Sequence, residues 1–359
     1  MHITMGLGRL DTAQKIKDYY ANGVREFFVG YVPRSWLNKY GWEVCPNRRN
    51  SGPVFNFANV ADLRDIVEEI HNYGCTLNFA VNAHDNGVER MDDIKEMIDI
   101  FEPMNPDSYI IADPAILFCL EKWGIKRPIH LSTGIGCFNQ ESVRFWCENF
   151  NVTRVILPRK MTLRESKELI DSLKDLHLEF EVLVMGYRCY FNDEDCHSVH
   201  SGNGNSLCQE VIFDRHTVMN RLPDNWKDVG EYMATATEKE MLTEGSMIDR
   251  YRKELFKDEP PKYPDFAFHS CGKGLDGVLT STCLQHCGLC AIKALREMGV
   301  QVLKVPLRGV SESKLRAVEM VNKVMTAENP DREFCRKLIN SPDFCNNGIS
   351  CYYEVEEDK

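Results

Sequence analysis

Eight short runs rich in β-branched residues, alternating with amphipathic stretches, constrain this chain more than any other feature. The runs lie at 2–6, 26–31, 76–82, 108–112, 128–132, 154–158, 180–185 and 301–305. Between them, segments such as Leu63–His71 and Ile94–Phe101 place apolar residues at three-and-four spacing, the mark of a helix with one buried face. Gly23, Gly74 and Gly299 each fall just past a helical pattern and before a strand, where a left-handed cap residue is wanted. Eight strand–helix units is the count of a TIM-type (β/α)8 barrel. The alternative, an open doubly wound sheet, calls for a Gly-x-Gly-x-x-Gly turn. Gly6-Leu7-Gly8 and Gly134-Ile135-Gly136 both lack its third glycine. The barrel is expected over 1–326, with a cysteine-bearing insertion at 186–282 after strand seven and a tail at 327–359.

Barrel enzymes work at the C-terminal ends of their strands. Those ends carry Asn82, His84, Asp113, Ser132, Thr133, Arg159, Tyr187 to Cys189 and Arg308. Loops are wet, so any one polar strand end has a plain explanation, and the set says more than its members. The long insertion holds a turn-rich patch around Gly202–Gly204, an acidic helical segment (238–257) and a Pro-rich break (259–265). An excursion of that length inside a compact domain reads as a lid, a cofactor-binding loop or a subdomain.

Charge narrows the partners. The net charge of -11 argues against a protein that coats duplex nucleic acid, which needs clustered Lys and Arg. No stretch approaches the ~18 uninterrupted apolar residues of a membrane helix. The first residues lack a signal-peptide layout, so a cytoplasmic protein is expected. Thiols stay reduced there, and clustered cysteines then read as metal-binding or catalytic.

Seven of the fifteen cysteines lie between Cys189 and Cys290. Cys189-x6-Cys196-x11-Cys208 falls on the insertion, Cys271 follows, and Cys283-x3-Cys287-x2-Cys290 opens the last strand–helix unit. Such a sulfur set suits Zn²⁺ or an iron–sulfur cluster. Zinc ribbons use two close knuckles, and only Cys287-Gly288-Leu289-Cys290 resembles one. A four-iron cluster accepts wider and uneven spacing, which favours iron. Cys75, Cys119 and Cys147 sit in apolar patterns and read as inert. Cys45 and Cys137 lie near strand-end loops. Cys335, Cys345 and Cys351 can cap a cluster, bind a second metal or do nothing, and the last is the reading favoured.

Several segments carry a resemblance. They are Gly23–Gly30, Asp113-Pro114, Pro128–Ser132 with Asn139 and Val143–Trp146, Arg154–Arg159, Val184–Cys189 with Cys196, and Gly288–Ile292 through Gly299 and Lys304 to Arg308. Together they resemble the U-32 collagenase-like peptidase family over most of residues 20–325. The resemblance implies a barrel-like fold with a [4Fe-4S] cluster on Cys189, Cys196, Cys208 and Cys290, with Cys287, Cys283 and Cys271 as alternates. Despite the label, it implies oxygen-independent hydroxylation, as in ubiquinone synthesis and the modification of transfer and ribosomal RNA, with prephenate as the implied oxygen donor.

The chain departs from the family pattern at Lys304-Val305-Pro306-Leu307-Arg308, Arg159-Lys160 and Gly134-Ile135-Gly136, which implies a rebuilt substrate pocket. The expected protein is therefore an iron–sulfur enzyme acting on a small or medium anionic molecule. Arg159, Lys304 and Arg308 would hold carboxylates through charge-assisted bonds. His130 is the candidate acid/base. Two alternatives stand beside it. One is a peptidase, although no Gly-x-Ser-x-Gly or His-Glu-x-x-His occurs. The other is a non-catalytic iron–sulfur subunit that docks a protein partner through the acidic insert 209–270.

Overall fold

A computed structural model of the chain describes residues 1–41, 44–47, 55–84, 86–186, 188, 193–194, 196, 240, 286–308, 311–341, 344–345 and 350–354. Its barrel strands are β1 (His2–Leu7), β2 (Val24–Val29), β3 (Thr76–Val81), β4 (Ser108–Ile111), β5 (Ile129–Leu131), β6 (Val152–Ile156) and β7 (Glu179–Leu183). After them come the short β8 (Met185–Gly186) and β9 (His286–Cys287), and then β10 (Val302–Val305). The barrel closes in the order β1-β10-β7-β6-β5-β4-β3-β2, every neighbour parallel, while β8 and β9 form a separate antiparallel pair. Each of the eight expected runs supplies one barrel strand. Pairing of the first strand with the last, Ile3 beside Leu303 and Met5 beside Val305, excludes the open sheet.

The described helices are α1 (Ala13–Ala21), α2 (Arg34–Tyr40), α3 (Val60–Asn72), α4 (Met91–Phe101), α5 (Pro114–Lys122), α6 (Gln140–Asn149), α7 (Leu163–Ser172), α8 (Ile292–Glu297), α9 (Ser311–Thr326) and α10 (Arg332–Ile339). The spacing read from the sequence is the reason they pack. Leu63, Ile66, Val67 and Ile70 are the buried face of α3, and Ile94, Met97, Ile98 and Phe101 that of α4. Each such side chain contributes about 1.5–3 kcal/mol on leaving water. Phe101 stacks on Phe79 of β3 at 3.9 Å between centroids. Helix starts are capped from the chain itself. Asp113 accepts from the Ala115 N–H at 2.8 Å with Pro114 in the first turn, and Thr162 with Glu165 forms a reciprocal capping box on α7. Gly23, Gly74 and Gly299 take φ of 94°, 65° and 96°. At Gly23 a side chain would also strike Asn322 of α9, so glycine is required there twice over. Among the described residues, no helix is long and apolar enough to cross a membrane.

A polar layer crosses the barrel interior. Arg154 of β6 reaches Glu26 of β2, the strand opposite it in the ring, with Nη1 to Oε1 at 2.5 Å and Nη2 to Oε2 at 2.8 Å. It also donates to Glu181 at 3.0 Å and to Glu179 at 2.7 Å. Lys304 of β10 meets Glu181 at 2.5 Å. Burial pushes the Glu26 carboxyl up, but hydrogen bonds from His2 and Arg154 outweigh it and hold the group well below the usual carboxylate range. Ser108 bridges Asn78 at 2.7 Å and His130 Nδ1 at 3.1 Å. The layer opens at the N-terminal face through Glu179, the first residue of β7, whose side chain is 44% exposed.

The tail lies against the same barrel. The Tyr353 hydroxyl donates to the Leu183 carbonyl at 2.9 Å, and Cys351 bridges Cys287 of β9. On the β1 side, Asp11 accepts from Gly8 N–H and the Tyr19 hydroxyl, each at 2.8 Å, and pairs with the fully buried Lys314 of α9.

Candidate functional site

The C-terminal ends of β3, β4 and β5 bring Asn82, His84, Asp113 and Ser132 to one rim. Asn82 Nδ2 donates to Ser132 Oγ at 3.1 Å. Asp113 is occupied with structure, since it caps α5 and accepts from the Asn86 backbone and side chain at 3.1 and 3.0 Å. His84 reaches farther. Its Nε2 lies 2.6 Å from the carbonyl oxygen of Cys196, the one described cysteine of the insertion. A carbonyl only accepts, so Nε2 is the donor in this bond. His84 Nδ1 and Asn82 Oδ1 are both buried and meet no partner among the described residues. Two unsatisfied polar atoms at one rim are costly unless something binds there.

The sequence offers three cations to hold carboxylates, Arg159, Lys304 and Arg308. Arg159 donates from Nε and Nη2 to the buried Asp193 of the insertion, the Nε bond being 2.8 Å. Lys304 is engaged with Glu181 inside the barrel, and burial lowers its ammonium despite that carboxylate. Arg308, just past β10, donates to Asn47 Oδ1 at 3.3 Å and Asn56 Oδ1 at 3.2 Å and lies over the Phe28 ring. Asn47 and Asn56 are themselves joined at 2.8 Å, and Cys45 donates to Asn47 at 3.4 Å. Gly30 makes room for this group, because a Cβ there would sit 2.5 Å from Arg308 Nη1 and closer still to both asparagines. Asn47, Asn56 and Asp193 were not singled out in the sequence. They lie on irregular segments, where no periodicity marks an inward side chain.

His130 lies in the interior polar layer rather than at the rim. Burial first, then Arg154, drives its imidazole well below the usual value, so it is neutral. Of the cysteines, Cys189, Cys208, Cys271 and Cys283 lie outside the described residues. Cys196 is half-buried beside His84. Cys290 sits with the tail. A hydrogen bond from the Cys335 thiol pulls it down to about 7 against burial, with Arg332 and Arg336 adding to the pull. Burial pushes the Cys287, Cys345 and Cys351 thiols up. Cys75 and Cys137 are buried, and burial raises both thiols, as inert core residues require. Among the described residues no three donor side chains already stand in metal-binding geometry.

Comparison with known proteins adds the context. The tRNA hydroxylation protein P of Escherichia coli (strain K12) is 30% identical over 134 residues, covering 37% of this chain and 29% of that protein. The protein of the same name from Helicobacter pylori (strain ATCC 700392 / 26695) is 30% identical over 162 residues, covering 43% and 37%. The matched stretch thus spans roughly a third of the length of these relatives. Among solved structures, the U32 peptidase Mk0906 aligns over 52% of this chain and 69% of its own, at 12% identity and a TM-score of 0.38. The model described as Peptidase family U32 matches residues 11–342, from the end of β1 past α10. The chain belongs to peptidase family U32.

Proposed function

We propose that this protein is an iron–sulfur enzyme of the hydroxylating kind, working at the C-terminal rim on a small or medium anionic substrate. The observation that carries the reading is the His84–Cys196 hydrogen bond, which ties the cysteine loop to the rim. The name shared by the matched relatives, tRNA hydroxylation protein P, supports the reaction class. The donors fit a cluster in their chemistry. Cys196 and Cys290 are half-buried cysteines, and soft sulfur suits iron. Cys189, Cys196, Cys208 and Cys290 would hold a [4Fe-4S] cluster, with Cys287, Cys283 and Cys271 as alternates. When bound, such a cluster supplies single electrons or an open iron position.

The chain's own residues would do the rest. Arg308, with a planar fork suited to carboxylate or phosphate, binds the anionic group. His84 Nδ1 accepts a proton at the rim, while the Cys196 carbonyl fixes its tautomer. Asn82 Oδ1 takes a hydrogen bond from the substrate. Arg159, through Asp193, positions the loop, and His130 acts from the interior layer on the strands that carry the site. A second reading takes transfer RNA as substrate, on the strength of the relatives' name.

Anaerobic purification and iron analysis test the proposal. The wild type is expected to be brown with about four irons per chain. Cys189→Ser and Cys196→Ser lose the colour, while the buried Cys75→Ser keeps it. Equal iron in all three variants sinks the ligand assignment. Cleavage of peptides by iron-free protein sinks the hydroxylase reading. Gain of one oxygen atom by transfer-RNA nucleosides, and by no small anion, selects the second substrate.

A further inference from the structure

We infer that the middle of the barrel binds an ordered water molecule, held between Thr4 of β1 and Asn78 of β3. The strand register places these side chains. Inward residues of a TIM-type barrel form layers, with one side chain from every second strand. The pairings put Glu26, Ser108, Arg154 and Val302 of β2, β4, β6 and β10 in one such layer. Thr4, Asn78, His130 and Glu181 of β1, β3, β5 and β7 make the next. The contacts of Ser108 with Asn78 and His130, and of Arg154 with Glu26 and Glu181, join the layers. Thr4 and Asn78 are therefore neighbours around one ring, at 0% and 1% exposure.

Each carries a buried polar atom that meets no partner among the described residues, Thr4 Oγ1 and Asn78 Nδ2. The rest of the ring is engaged. Asn78 Oδ1 and His130 Nδ1 meet Ser108, and Glu181 meets Arg154 and Lys304. A hydroxyl and an amide left unpaired away from water are costly, and finding both in one layer points to a bound group. Side-chain volume falls short there too. Barrel interiors favour bulky branched residues, whereas β3 and β4 supply Asn78 and Ser108. Glu26, on the strand between β1 and β3, reaches away across the ring to Arg154.

The chemistry selects water. A hydroxyl donates and accepts and an amide N–H donates, so the bound group must accept and also be able to donate. An ion does not fit. The buried acids Glu26 and Glu181 already balance the buried bases Arg154 and Lys304, and His130 is neutral. A buried water takes roughly two to four polar partners, and Thr4 with Asn78 meets that minimum. The water links the Asn78–Ser108–His130 chain to β1, where Thr4 stands in register with both Glu26 and Lys304. It lies in the interior and is independent of any iron at the rim.

A crystal structure of the full chain, at a resolution that shows ordered water, tests this directly. Density within hydrogen-bond distance of both Thr4 Oγ1 and the Asn78 amide is expected, in the wild type and in Thr4→Ser, which keeps the hydroxyl. Thr4 bonded directly to Asn78, or apolar side chains closed between them, overturns the proposal. Denaturant unfolding answers the same question by sign. Thr4→Val removes the hydroxyl and keeps the shape. With water bound, the variant leaves that water short of a partner, and the midpoint falls below wild type. With nothing bound, valine relieves an orphaned hydroxyl, the midpoint holds or rises, and the proposal fails. The wild-type crystal needs no variant, so it decides the matter if Thr4→Val does not fold.

Discussion

Replacing Glu181 by leucine strips Lys304 of the carboxylate that it meets at 2.5 Å inside the barrel. Lys304 is 7% exposed, and burial already lowers its ammonium, so the cation would keep only the weaker attraction of Glu26 and no water. Removing one member of a buried pair costs about 3–5 kcal/mol. Arg154 keeps Glu26 and Glu179, so the loss arises at Lys304. Lys304→Met is milder, about 1–3 kcal/mol, because Glu181 still holds Arg154 at 3.0 Å. In Glu181→Leu/Lys304→Met both charges go, and a methionine fills the place where the ammonium stands 4.0 Å from the Phe28 ring. The double variant should therefore be more stable than the two single losses summed, by about 1–3 kcal/mol. Guanidinium unfolding followed by tryptophan fluorescence measures all three. If the single losses add to within about 0.5 kcal/mol, Lys304 and Glu181 are not coupled. The ion pair would then not be the function of Lys304, and substrate binding would regain first place.

His130 sets a pH dependence of known sign. Its folded-state value lies well below the usual imidazole value, so the unfolded chain binds the proton first. Stability is then constant above pH ~6.5 and falls below it by up to about 1.4 kcal/mol per unit, until the folded value is reached. His130→Gln should flatten that limb in denaturant midpoints taken from pH 7 to 5, and identical slopes in both proteins would refute the assignment. Gly30→Ala drives a methyl group into Asn47, Asn56 and Arg308 and should cost about 1–3 kcal/mol by overpacking. Adding Arg308→Ala should recover part of the loss in the same unfolding assay, and no recovery would mean that the strain lies elsewhere.

The barrel could be read from the chain because its strands obey local rules. Each run of β-branched residues became a strand within a residue or two at either end, and the three cap glycines took positive φ. The site was less legible. Its rim residues follow from strand ends, which is why Asn82, His84, Ser132 and Arg308 can be named from the sequence. What those residues touch depends on contacts across the fold. Arg308 meets Asn56 at a separation of 252 residues, and His84 meets Cys196 at 112. No spacing rule spans such distances. One further signal lies in the strands themselves. Glu26 and Glu181 are charged residues inside apolar strands, and a charge at an inward strand position implies a buried partner. The tail cysteines meet the barrel across a similar reach of chain, Cys351 lying beside Cys287 and Cys335 bonding Cys290.

The guanidinium of Arg154, spanning the cylinder to Glu26, also bears on how the molecule assembles. A cut between β4 and β5 would leave Glu26 in one fragment with His2 alone, and Arg154 in the other with Glu179 and Glu181, so the pair that crosses the cylinder would be lost. Neither half should mature alone. The ring must close before that cross-barrel pair can form, so closure belongs among the late steps of folding, and an interrupted nascent chain would wait open for its missing half.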